Sequence, residues 1–167
     1  MKFIFKIFLS FFLIYNTAYS DDKIAYLDID YILSNSNKGK IIIEQLEDKN
    51  KNNVLLLENK EKELKKIEFD IENKKNILSE KELNNQINDL KNKILTFRKE
   101  KNDLTKEFND YRKKEISSLL KLINPLIYDY VQKNSINIVL DKKNILIGKK
   151  SYDITEEILK LVNKNIK

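Results

Sequence analysis

The chain is 167 residues long, with 32 Lys and Arg against 26 Asp and Glu, a formal net charge of +6, two Gly, one Pro and neither Cys nor His. Without Cys or His there is no thiol nucleophile, no Ser–His–Asp triad, no Cys/His zinc site and no disulfide, and with only Gly39 and Gly148 no dinucleotide or P-loop cradle can be written. A composition 35% charged and 41% hydrophobic suits long, surface-rich helices better than a thick core.

Residues 1–20 carry Lys2 and Lys6, an apolar run from Ile7 to Tyr15, and the small-x-small triplet Ala18-Tyr19-Ser20. This is the layout of a secretory signal, and cleavage is expected after Ser20. The apolar run is short of the ~20 residues that span a bilayer. Export without disulfides, in a chain this small, points to stability gained by oligomerisation.

Lys23–Asp30 (KIAYLDID) alternates and is rich in strand formers. It reads as a strand with Ile24, Tyr26 and Asp28 on one face and Ala25, Leu27 and Ile29 on the other. A short helical turn is expected from Asp30. Asn35–Gly39 is expected as a loop, with Gly39 the point of unusual backbone geometry.

From Lys40 to Ile123 there is no Gly and no Pro. Leu57, Leu64, Ile71 and Leu78 recur at sevenfold spacing. Ile87, Leu90, Ile94, Phe97, Leu104, Phe108 and Tyr111 step by threes and fours, with Lys101 as an interruption. These are the a/d stripes of a coiled coil, flawed where Lys60 and Lys74 take d positions. Ser79-Glu80-Lys81-Glu82 fits a capping box near the midpoint. The segment is therefore expected to fold as an antiparallel helical hairpin, 40–77 up and 80–123 down, with its tip near 78–82.

Beyond it, Asn124-Pro125 is expected to cap and restart a helix or to kink one. Ile136–Leu140 reads as a strand, Asp141–Asn144 as a turn, and Ile145–Ile147, ended by Gly148, as a second strand of a β-hairpin. Asp153 is the expected N-cap of a final amphipathic helix holding Ile154, Ile158, Leu161 and Val162. The fold class is α+β: a small β head from residues 21–39 and 124–167, and a coiled-coil arm from 40–123. About three strands leave edges that invite pairing with other copies.

The combination resembles the Skp/OmpH family of periplasmic chaperones. The likeness is carried by KIAYLDIDYIL after the signal, by Lys38-Gly39-Lys40 opening the charged arm, and by INIVLD (136–141) with the 145–148 segment. Tyr152-Asp-Ile-Thr155 before the last helix completes it. The arm departs from the family in being rich in Asn and poor in Ala. The resemblance implies a homotrimer whose strands form a β-barrel body, with the hairpins as tentacles around a cavity. It also implies a periplasmic, nucleotide-independent holdase for unfolded outer-membrane β-barrel proteins.

Holding such a client calls for many weak contacts rather than one strong pocket. The residues expected to supply them are Phe69, Ile77, Leu95 and Phe97, although Phe97 lies in the a/d stripe, where hairpin packing is the stronger expectation. Ile24, Tyr26, Ile138, Leu140, Ile145 and Ile147 are the expected core of the head and its subunit contacts. No catalytic residue, cofactor or metal ligand is singled out, because carboxylates are too frequent for any pair to stand out. The basic balance would suit anionic lipid headgroups. Lys alternates with Glu instead of forming a basic stripe, so no nucleic acid is expected. Part of the basicity also follows a joint abundance of Lys, Ile and Asn, the mark of A+T-rich coding. The competing expectation is a coiled-coil spacer or adaptor of the cell envelope.

Overall fold

The structure, a computed structural model, describes residues 23–166. In chain order they form β1 (Lys23–Leu27), α1 (Ile29–Asn35), α2 (Asn37–Lys74), α3 (Glu80–Lys133), β2 (Ile136–Asp141) and α4 (Thr155–Asn165). Two single turns of 3₁₀ helix, Lys142–Asn144 and Lys150–Tyr152, lie between β2 and α4. The secretory signal expected over residues 1–20 lies outside the described residues.

β1 and β2 pair in parallel, with Ile24 opposite Ile138, Tyr26 opposite Leu140 and Leu27 opposite Asp141. A parallel pair needs a long crossover, and here the crossover is the whole helical hairpin. The pairing therefore ties the two ends of the arm to one base.

That base holds the core. Ala25 and Leu27 point inward from β1 and meet Ile32 of α1, Ile42 of α2, Leu119 and Ile123 of α3, and Ile158 and Val162 of α4. Ile136 and Val139 of β2 close over them. Ile32, Ile123, Ile158 and Val162 have no exposed surface. The fully buried residues cluster where α1, α3 and α4 converge, while the arm above is only half-buried at its seam.

The corner between α1 and α2 is tight. Ser36 alone separates them, and it accepts a hydrogen bond from Gly39 N at 3.1 Å as the N-cap of α2. Gly39 is therefore not in a loop with unusual backbone geometry, as expected, but in the first turn of α2. It is required by close approach: a Cβ there would lie 1.7 Å from the Leu33 carbonyl oxygen.

Two other expectations are corrected. Ile145–Ile147 is not a strand, and the sheet has two strands instead of three. Asp141 Oδ1 accepts from Lys143 N at 3.1 Å and starts a 3₁₀ turn, which Ile145 N closes on Lys142 O at 3.0 Å. That turn directs the chain away from β2 instead of back along it. Of the two alternatives at Asn124-Pro125, the cap and restart is excluded, because α3 runs through Pro125 to Lys133. The chain leaves α3 through Asn134 and Ser135, whose φ of 52° is the left-handed turn that ends many helices.

Candidate functional site

The arm is the part of the molecule with the most exposed side-chain chemistry. α2 and α3 run antiparallel: Lys49 sits over the Tyr111 ring, 5.6 Å from its centre, while Lys60 reaches Glu100 further out. Leu57, Leu64 and Ile71 of the sevenfold stripe are half-buried, as are Ile94, Phe97 and Leu104 opposite. The helices form because nothing interrupts them and because the stripes face each other.

The flaw read at Lys60 has a partner. Lys60 takes the d position and forms an ion pair across the seam with Glu100. Both side chains are more than a third exposed, so the pair contributes little net stability. Its effect is on register, because sliding the helices by one turn would leave both charges in an apolar seam. Shallow grooves open on both flanks at this level, and Leu64 and Phe97 border each of them. Another groove, of about 420 Å³, lies at the root of the arm between Leu33, Ile42, Leu46, Phe108 and Ile116, with Glu47 and Arg112 among its polar lining.

The tip is a five-residue turn, 75–79, between α2 and α3. Ser79 Oγ accepts from Glu82 N, and the Glu82 carboxylate accepts from Ser79 N at 3.1 Å, the reciprocal capping box that the sequence calls for. Donation from Ser79 holds the Glu82 carboxyl below its ordinary range. Glu61 and Glu72 are lowered in the same way by hydrogen bonds from Lys65 and Lys75. These are solvated surface pairs, and they do not supply a general acid. Among the described residues no group of three or more Asp and Glu is placed to hold a metal ion, and no helix is long and apolar enough to cross a membrane.

The four arm residues expected to contact clients are not one site. Phe69 is 65% exposed, Leu95 59% and Ile77, at the tip, 83%. Phe97 is half-buried in the seam. Three neighbours that the periodicity left out, Val54, Leu55 and Leu56, are also exposed. Their signal was an unbroken apolar run with Leu57, which encircles the helix instead of following one face.

The head residues also separate. Ile24, Ile138 and Leu140 lie on the open face of the sheet and are about half exposed. Tyr26 is buried against Gly148 and donates its hydroxyl to Lys149 O at 3.2 Å. Ile145 is half-buried, whereas Leu146 and Ile147 are almost fully exposed. The core face of the sheet is the one carrying Ala25, Leu27 and Val139. Alternation could not choose between two equally apolar faces.

Asp153, expected as the N-cap of the last helix, sits one residue ahead of that position. Ile154 is the N-cap, and Asp153 Oδ1 accepts from Thr155 N at 3.1 Å. Thr155 Oγ1 in turn accepts from Asp28 N at 2.9 Å, and Ile154 N donates to Tyr26 O at 2.9 Å. These bonds latch α4 to β1. Burial raises the Asp153 carboxyl, but hydrogen bonds from Thr155 and Lys142 outweigh it and hold the group below its usual range. Lys142 and Lys143 are paired with Asp153 at 3.0 Å and Asp141 at 2.8 Å.

A family model described as "Outer membrane protein (OmpH-like)" matches residues 23–162. No curated protein matches. Among solved structures, a crystal structure described as a putative outer membrane chaperone (OmpH-like) from Caulobacter crescentus CB15 is similar in fold. Its TM-score is 0.77 at 17% sequence identity, over 86% of this chain and 85% of that one.

Proposed function

This chain belongs to the OmpH-like outer membrane protein family, and we propose that it is an exported, periplasmic chaperone that holds unfolded outer-membrane β-barrel proteins without nucleotide. The observation that carries this reading is the arm: a long antiparallel hairpin studded with isolated exposed apolar side chains, among them Phe69, Ile77 and Leu95. α2 has 38 residues, about 57 Å at 1.5 Å per residue. A single such contact is worth ~1 kcal/mol or less, at about 25 cal/mol per Å² buried. Several in parallel retain a client while each exchanges freely. An unfolded barrel strand, apolar at alternate residues and prone to edge pairing, is the client such a surface suits.

The head is the proposed assembly point. Its sheet has two strands and carries Ile24, Ile138 and Leu140 on an open face, with Leu146 and Ile147 protruding beside it. Isolated two-strand sheets are marginal, and this apolar face calls for cover. Covering it with two further copies is the proposed homotrimer, with three arms around a client. The Lys142 and Lys143 charges are satisfied internally, so they give little support to a lipid-headgroup site on the head.

The test is dilution of a urea-unfolded outer-membrane barrel into buffer containing the protein and no nucleotide. Suppressed light scattering at a stoichiometric ratio is expected. Unchanged scattering, with stable binding to a folded envelope protein instead, would make the chain a spacer or adaptor.

A further inference from the structure

All but two of the 32 basic residues are Lys, and the two arginines, Arg98 and Arg112, both lie on α3 and line grooves of the arm. The two grooves share one side of the hairpin. Ile94, Arg98, Lys101, Phe108, Arg112 and Ile116 in their linings follow a single ridge of α3, in steps of three, four and seven. Glu47, Val54, Glu58 and Glu61 form the matching ridge of α2. A shift of fourteen residues along each helix carries Glu47, Phe108 and Arg112 at the root onto Glu61, Ile94 and Arg98 further out. Each groove thus has an apolar floor, a carboxylate on its α2 wall and a guanidinium on its α3 wall. Glu61 is engaged by Lys65 at 2.7 Å, whereas Arg98 and Arg112 are exposed and have no ion pair or hydrogen bond among the described residues. We propose that Arg98 and Arg112 are carboxylate anchors, gripping Asp or Glu side chains of an unfolded client segment whose apolar residues settle on the groove floor. The proposal rests on the chaperone reading and adds which client residues the arm selects.

The charge pattern selects the occupant. A guanidinium differs from the ammonium of every other basic residue here by its planar fork, which donates two parallel hydrogen bonds to one carboxylate. Fourteen helical residues set the two forks about 21 Å apart. Six residues of extended chain cover that distance at about 3.4 Å each, so one client segment can reach both. Between the forks its apolar side chains meet Val54, which is 44% exposed, and Leu57. The α2 carboxylates Glu47, Glu58 and Glu61 repel a dense polyanion, which leaves single carboxylates set among apolar residues as the ligand that fits. Arginines that only braced α2 against α3, by pairing with Glu47 and Glu61, would affect the stability of the arm and not its choice of ligand.

Two fluorescent peptides of about nine residues, apolar at odd positions and polar at even ones, test this choice. One carries Glu at its second and eighth positions, and the other carries Gln there. Anisotropy titration with the protein is expected to show roughly fivefold tighter binding of the Glu peptide, from two charge-assisted pairs at exposed sites. The preference is expected to vanish in Arg98→Gln/Arg112→Gln. It should persist in the charge-matched variant Lys99→Gln/Lys113→Gln, whose exposed lysines are one position along and turned about 100° away. Arg98→Lys/Arg112→Lys, which keeps the charge and is expected to keep the wild-type helicity, should lose most of the preference with the fork. Equal wild-type affinity for both peptides, an undiminished preference in either Arg variant, or an equal loss in the Lys99/Lys113 variant would overturn the anchors. Capture of a urea-unfolded outer-membrane barrel is measured alongside. Wild-type capture without Glu preference removes the anchors alone, whereas failure of wild-type capture removes the chaperone reading.

Discussion

Gly39 and Thr155 show how single residues hold the root of the arm in place. The α1–α2 corner brings the Leu33 carbonyl to within 1.7 Å of where a Cβ on Gly39 would sit. Gly39→Ala must therefore move backbone, and a cost of about 3 kcal/mol or more is expected, read as a large fall in thermal midpoint. Gly148 is a milder case, because the atom it would crowd belongs to the Tyr26 ring and not to backbone. Thr155→Val leaves the Asp28 amide without its acceptor, and about 1–3 kcal/mol of destabilisation is expected, mostly recovered by Thr155→Ser. The Asp153 carboxyl is held below its ordinary value, so its contribution is complete above the unfolded-state pKa of about 3.9. It is lost as pH falls through the lower folded-state value. Asp153→Asn is expected to be less stable at neutral pH and to show a shallower loss of stability on acidification in urea titrations. A parallel acid limb in both proteins would rule the latch out as the cause.

Among the elements, the hairpin was the most legible in the sequence. Its a/d stripes and the Ser79–Glu82 box give both the helices and the place where the chain turns, because heptads and capping boxes are local signals. The observed bounds differ by about three residues at the start and end of α2. The second strand of the head was not legible, since Ile145–Ile147 carries strand-forming residues whose fate is decided by the Asp141 cap before them. Nor was the buried face of β1, because Ile24 and Tyr26 are as apolar as Ala25 and Leu27. The proposed client-contact residues stand out in the sequence only as apolar positions off the stripes, since periodicity finds what packs within the hairpin and is silent on what packs against another molecule. Ser79→Ala removes one cap bond and is expected to cost ~1 kcal/mol. It should show as faster amide exchange near the tip with the head unchanged. Lys60 and Glu100 should couple by about 0.2–1 kcal/mol in a double-mutant cycle, with the coupling reduced by salt. Full additivity would show that the pair adds nothing to stability in the native register.

At the scale of the whole molecule, the parallel pairing of β1 with β2 makes the arm a closed crossover on a small base. The core lies at that base, and the arm projects without a fully buried residue beyond its root. Such a division lets the outer hairpin present apolar side chains without loss of the fold. It also leaves the sheet with an open apolar face, which assembly would cover. On the proposed function, assembled arms take up an unfolded barrel protein without nucleotide. The most direct measurement is mass in solution by light scattering, for the protein alone and after mixing with an outer-membrane barrel diluted from urea. Three subunits alone, and a soluble species heavier by one client on mixing, are predicted. A mass unchanged by the client, with the client recovered in the pellet, would contradict the account.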